Sequence, residues 1–244
     1  MQKKSVLITG AAKRIGKELA LHMAQTGWHI AVHYNNSGDG ADELVNTIKK
    51  IGVKSVAIQC DLSDEKATSK LVSKAVDGIG ELTCLINNAS VFENDKLKNL
   101  KSEAWHKHIQ VNLHSPLILA QEFAKQLNGK GNIINMLDYC VLSLPDKFLS
   151  YAISKSGLWA ATQILAKDLA PNVRVNGIGP GHTLPNIRES QAGFEKAYKA
   201  TPLQIQSTPE EICRAIDFIL DSPSFTGQIL ALDGGKHLVG AEFY

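Results

Sequence analysis

Short apolar, β-branched runs alternate along the chain with longer segments in which apolar residues recur every three or four positions. Residues 5–9 (SVLIT), 29–34 (HIAVHY), 55–60 (SVAIQC), 82–87 (LTCLIN), 132–137 (NIINML), 173–178 (VRVNGI) and 228–232 (QILAL) predict strands. Several are apolar throughout, the pattern of strands covered on both faces. Between the second and third runs, Ala41, Leu44, Val45, Ile48 and Ile51 mark one face of a helix, and Gly52 is placed to end it. Residues 14–26, 64–78, 103–127, 150–169 and 209–221 have the same periodicity. Strict alternation of this kind predicts the α/β class, a doubly wound parallel sheet flanked by helices.

No linker, repeat or low-complexity tract interrupts the alternation, so residues 1–244 read as a single domain. One segment breaks the rhythm. Residues 182–207 follow a strand end at Gly179-Pro180-Gly181, the edge where sheets of this class hold ligands, and are expected to form a substrate lid. Composition narrows the classes further. A net charge of +2 with no dense Lys/Arg run leaves no footprint for nucleic acid. No run approaches the ~18 apolar residues of a membrane span, and the apolar stretch after MQKK is too short for a signal peptide. A cytoplasmic location is expected. Cys60, Cys84, Cys140 and Cys213 lie far apart without a C-x-x-C pair, which predicts buried reduced thiols. His33, His182 and His237 have no ligand spacing, so no metal is expected; packing or surface roles suit them, and His182 lies where it could reach a substrate.

The first strand runs into TGAAKRIG, residues 9–16. Gly10 permits a sharp turn, Gly16 permits close helix–strand approach, and Ile15 lies between them at the start of a helix whose free N–H groups can hold a phosphate. Lys13 and Arg14 add two cations, suited to a nucleotide with an extra phosphate; the alternative is that both are solvated helix-start charges. The second strand ends in HYNNS. An NAD site normally places an acid here to hold the ribose 2′-hydroxyl, whereas Asn35, Asn36 and Ser37 are neutral. NADPH is therefore expected over NADH. Asp61, with Leu62 after it at the third strand's end, suits an adenine amine; a helix N-cap at Asp61 or Ser63 is the alternative.

Taken together, Thr9-Gly10…Gly16, Asn87-Asn88-Ala89, Asn112, Tyr151-x-x-x-Lys155 and Pro180-Gly181 have the order and spacing of the short-chain dehydrogenase/reductase family, which the chain resembles along nearly its whole length. The resemblance implies a Rossmann-type fold binding NADP, with Asn88, Ala89, Pro180 and Gly181 beside the cofactor. It implies Tyr151 as proton donor, Lys155 as the cation that favours its phenolate and binds the cofactor ribose, and Asn112 as holder of a relay water. A free phenol has a pKa near ~10, so some such tuning is needed. Homotetramers or dimers formed through residues 103–127 and 150–169 are part of the same implication.

One position departs from the family. Thirteen residues before Tyr151, where most members have a serine, stands Asp138. An ionised carboxylate would raise the tyrosine's pKa and repel an alkoxide forming at a ketone. It suits a C=N bond better, since it can supply a proton to nitrogen or accept N–H groups of an amino heterocycle. The chain is similar at these departures to pteridine reductases, which share the central arginine, the Asp and a serine after Asn-Asn-Ala, and it resembles bacterial dihydromonapterin reductases at an Asp-Tyr dipeptide and a C-terminal LDGG segment. The serine is matched by Ser90. Phe92 falls where pteridine reductases stack an aromatic ring on the pterin, and Asp138-Tyr139 and residues 232–238 also match. The arginine that protozoan pteridine reductases carry near HYNNS is missing. The implied activity is NADPH-dependent reduction of a dihydropterin to a tetrahydropterin; the alternative is a general carbonyl reductase such as a 3-oxoacyl thioester reductase.

Overall fold

The computed structural model describes residues 4–185 and 190–239. Seven strands among them, β1 (Ser5–Ile8), β2 (His29–Tyr34), β3 (Ser55–Gln59), β4 (Cys84–Asn87), β5 (Gly131–Met136), β6 (Val173–Pro180) and β7 (Ile229–Leu232), form one sheet in the order β3-β2-β1-β4-β5-β6-β7. Every pairing is parallel, in register from Ser5 opposite His29 to Pro180 opposite Leu232. Period-two alternation sends side chains to two cores. Val6, Ile8, Ile30, Val32 and Ile86 pack on one face against α1 (Arg14–Gln25), α2 (Gly38–Ile51) and α9 (Pro209–Asp221). Leu7, Ala31, Leu85 and Ile133 pack on the other against α4 (Leu71–Ile79), α6 (Ser115–Gln126) and α7 (Leu149–Asp168). The order of connection reverses between β1 and β4, which opens a crevice at the carboxyl ends of these strands.

Local chemistry sets the helix limits, and three expectations need correction. The 64–78 helix is two: α3 (Glu65–Thr68) and α4, which starts after Lys70. Neither Asp61 nor Ser63 caps it. Asp64 does, accepting the Ala67 amide at 3.1 Å, while Asp61 Oδ1 accepts both the amide and hydroxyl of Ser63 at 2.8 Å. The 103–127 helix is likewise divided, into α5 (Ser102–Ile109), a π-helical turn (Gln110–His114) and α6. Ile51 leaves the core at the end of α2, 40 % exposed, before Gly52 closes the helix at φ 101°.

The segment after β6 is partly helical, through α8 (Gln191–Lys199), and residues 186–189 of the expected lid lie outside the described residues. Its two ends are fastened together. The Thr183 and Ser207 hydroxyls lie 2.7 Å apart, and Gln206 Nε2 donates to the Thr183 carbonyl. Phe194 of α8 is buried and meets His182 edge-on.

Candidate active site

The β1–α1 turn is built for close approach. Gly10 has φ +63°, and a Cβ there would lie 3.1 Å from Ala89 Cα. A Cβ on Gly16 would lie 2.4 Å from the Gly10 carbonyl and 2.7 Å from Asn88 Nδ2, so only glycine fits. Asn88 fastens the turn, donating from Nδ2 to the Thr9 carbonyl at 2.8 Å and the Gly10 carbonyl at 3.2 Å. Lys13, the N-cap of α1, makes no side-chain cap, so the first-turn amides at Arg14, Ile15 and Gly16 take no bond from it, as suits a helix start that receives an anion. At the end of β2, Asn35 and Asn36 are exposed and Ser37 begins α2 without capping it by its hydroxyl. This donor set, free of carboxylates, fits a phosphorylated ribose. Asp61 is exposed and Leu62 buried at the neighbouring β3 end.

Arg14 itself is engaged elsewhere. At φ 55°, its Nη1 donates to the Pro185 carbonyl at 2.9 Å and its Nη2 to the Leu184 carbonyl at 3.3 Å. The guanidinium thus ties the glycine-rich turn to the segment after β6, a contact 171 residues apart in sequence that no local pattern announces. The Gly181 amide is likewise engaged, donating to the Leu232 carbonyl at 2.8 Å, with Pro180 ending β6.

Tyr151 and Lys155 stand one turn apart on α7, both buried. The Tyr151 hydroxyl donates to Asp138 Oδ2 at 2.8 Å, and Asp138 Oδ1 accepts the Cys140 amide. Burial, followed by the Asp138 charge, pushes the Tyr151 phenol well above its usual range. Burial pulls Lys155 down to about 8, against the raising effect of Asp138 and Cys140. Lys155 Nζ donates to the Met136 carbonyl at 2.7 Å. The expected bias of Lys155 toward the phenolate is therefore outweighed: the carboxylate and burial hold Tyr151 as a phenol.

The π-helical turn buries Asn112 completely. Its side chain accepts the Val91 amide at 2.8 Å and donates to the Val91 carbonyl at 2.9 Å and to Ser154 Oγ at 3.1 Å. The Ser90 hydroxyl, in an exposed residue, also reaches Asn112 Oδ1, at 3.3 Å. Asn112 thus joins the loop after β4 to α7, a role its expected water-holding part did not foretell. Phe92 in that loop is 44 % exposed, which rules out simple core packing. Its ring meets Tyr151 edge-on at 4.7 Å and Phe148 at 4.6 Å.

The remaining expectations have definite places. His33 is buried; its Nδ1 accepts the Gly10 amide at 3.0 Å and its Nε2 donates to the Cys60 carbonyl at 3.0 Å, so the neutral ring stitches three strand ends together. His237 binds the buried Asp233 within residues 232–238. His182 lies between the rings of Tyr139 and Phe194. All four cysteines are free and buried. Among the described residues no cluster could hold a metal, and no helix is long and apolar enough to cross a membrane.

Known proteins share this fold. Residues 10–237 match the family model described as enoyl-(acyl carrier protein) reductase. FolM alternative dihydrofolate reductase 1 from Brucella suis, solved with NADP, is 40% identical with a TM-score of 0.94, covering 97% of this chain and 96% of that one. The Brucella canis protein of the same description, also with NADP, is 39% identical with the same TM-score over 97% of this chain and 94% of its own. The 3-oxoacyl-[acyl-carrier-protein] reductase FabG of Staphylococcus aureus is 28% identical over 96% of this chain and 98% of its own. With the glycine turn, the neutral β2 end and the buried tyrosine–lysine pair in place, the chain belongs to the short-chain dehydrogenase/reductase family, as an oxidoreductase that uses NADP.

Proposed function

We propose that this oxidoreductase reduces the C=N bond of a dihydropterin, giving a tetrahydropterin. The observation that carries this reading is the 2.8 Å bond from the Tyr151 hydroxyl to Asp138. A phenol held protonated, with a carboxylate beside it, is poorly arranged to support an alkoxide. It is well arranged for nitrogen: the pair shares one proton that either oxygen can deliver, and the carboxylate can accept N–H groups of an amino heterocycle. The similar Brucella structures, described as alternative dihydrofolate reductases, act on a substrate that contains a pterin ring, which supports the same class.

Bound NADPH supplies the hydride that reaches the ring carbon. Gly10, Ile15, Gly16, Asn88 and Ala89 would cradle it, with Lys13, Asn36 and Ser37 at its additional phosphate, Arg14 adding positive charge nearby while it holds Leu184 and Pro185, Asp61 and Leu62 beside the base, and Pro180 and Gly181 at the opposite wall. Tyr151 and Asp138 deliver the proton to nitrogen. Lys155 holds the ribose and tunes the pair, and a relay water at Asn112 would use its backbone, since the side chain holds Val91 and Ser154. Phe92 and Ser90 hold the ring, the exposed face of Phe92 offering an offset-stacking surface. The described parts of the expected lid, residues 182–185 and 190–207, flank the substrate side of the crevice in this reading. The protein works in the cytoplasm as a homotetramer or dimer, α7 offering Ile153 and Ile164, 42 % and 65 % exposed and eleven residues apart on one helix face.

The FabG relatives favour a second reading, reduction of a 3-oxoacyl thioester. Assay with NADPH against dihydropterins, dihydrofolate and acetoacetyl thioesters separates the two. Turnover of dihydropterins is expected; efficient thioester reduction without pterin turnover would reverse the assignment.

A further inference from the structure

Three polar side chains lie buried behind Tyr151 and take no part in the chemistry above: Asp95, His108 and Ser150, each no more than 4 % exposed. Phe148, which precedes α7, has φ 58°, a left-handed conformation that is strained for a residue with a side chain, and provides no side-chain cap. The cap comes from Asp95, fifty-five residues before Ser150 in sequence. Its carbonyl accepts the Leu149 amide at 3.2 Å, Oδ1 accepts the Ser150 amide at 3.0 Å, and Oδ2 accepts the Ser150 hydroxyl. A carboxylate at a helix N-terminus also complements the helix dipole.

Proton counting determines the rest. Ser150 has one hydroxyl proton, and it goes to Asp95. His108 Nδ1, 2.7 Å from Ser150 Oγ, must therefore carry the hydrogen, and Nε2 is left to accept the Glu93 amide at 3.1 Å. This direction excludes an activated nucleophile, whose hydroxyl would point to the imidazole rather than away from it. The chain of bonds runs Glu93 to His108 to Ser150 to Asp95. Both ends lie in the loop that follows Phe92, at Glu93 and Asp95, while Ser150 within the chain is the residue before Tyr151; the rings of Phe92 and Tyr151 meet at 4.7 Å.

We propose that Asp95, His108 and Ser150 are positioning residues that set the Tyr151 hydroxyl against the Phe92 loop, and so govern the chemical step without touching substrate. The proposal concerns any substrate protonated by Tyr151, so it stands or falls apart from the pterin assignment.

The test has two arms. In the first, kcat per NADPH-binding site, counted by cofactor fluorescence, is compared for wild type, Ser150→Ala, Ser150→Thr and His108→Asn, using a dihydropterin and an acetoacetyl thioester. Counting sites removes any loss due to unfolding. Ser150→Ala and His108→Asn should lower kcat about 10- to 100-fold, the scale of a small misplacement of reacting groups. KM for NADPH should stay constant, and Ser150→Thr, which keeps the hydroxyl, should recover most of the rate. An unchanged kcat per site, or a change confined to KM for NADPH, overturns the proposal. The second arm needs no substrate or variant. Nitrogen NMR of labelled wild-type histidine should show His108 neutral with its hydrogen on Nδ1, and a hydrogen on Nε2 overturns the relay.

Discussion

Asp138 accepts the Tyr151 hydroxyl at 2.8 Å, so the carboxylate stands on the proton that the tyrosine would donate. A serine at that position would itself donate to a carbonyl oxygen. The exchange replaces a donor by an acceptor at one point of the site, and four measurable consequences follow from it and from the surrounding geometry.

Replacing Asp138 by Ser should lower kcat/KM for dihydropterins by about 100-fold, the scale of losing a positioned proton-transfer group. Ketone or thioester reduction should be unchanged or improved. Paired assays of the two substrate classes with NADPH check this, and the opposite ranking removes Asp138 from the reaction.

Asp138 raises the pKa of Lys155 against the larger lowering by burial. Asp138→Asn should therefore move Lys155 below its present value of about 8, while the Tyr151 phenol comes down toward its ordinary range. Opposite movement of the two groups is the signature, readable by NMR titration of labelled lysine and by ultraviolet titration of the phenol against Tyr151→Phe. A rise at Lys155 contradicts the arrangement.

Burial brings His33 down to about 4, against smaller raising effects from its Cys60 bond and Asp61. Between the unfolded value of 6.5 and about 4, the unfolded chain takes up a proton that the native chain refuses, so stability falls as pH falls through this window. The loss should reach ~3 kcal/mol from this one ring. Urea unfolding at pH 7 and pH 4 should show it, and His33→Gln should remove most of that increment. Protonation also places a hydrogen on Nδ1 facing the Gly10 amide, so NADPH affinity should decline with stability.

A carboxylate at the β2 end should repel a ribose phosphate. Asn36→Asp is expected to weaken NADPH binding about tenfold relative to NADH, a difference of ~1.4 kcal/mol. Fluorescence titration with both nucleotides checks it. Equal affinities in wild type and variant would place the phosphate elsewhere.

Much of this architecture could be read before the fold was seen, because strands covered on both faces leave unbroken apolar runs and their helices keep a regular stripe. The glycine turn was legible because Gly10 and Gly16 lie within seven residues between a strand and a helix, although the atoms that demand them include Asn88 and Ala89, more than seventy residues on. What escaped notice was set by distance or by subtle local geometry. The break at Ser69-Lys70 and the π-helical turn at Gln110–His114 leave the apolar periodicity nearly intact. Asp95 sits in a polar stretch that resembles a surface loop, and its bond to Ser150 spans fifty-five residues. Arg14 stands beside the glycines in the sequence itself, yet its bonds to Leu184 and Pro185 depend on how the chain returns 170 residues later.

Asn112 holds Val91 from one side and Ser154 from the other, so the loop that carries Phe92 and the helix that carries Tyr151 meet at one amide as well as at the Asp95–Ser150 bonds. A substitution at Asn112 should therefore shift the Val91 loop and α7 together. Phe92, half-exposed beside that joint, can be exchanged without disturbing any of its bonds.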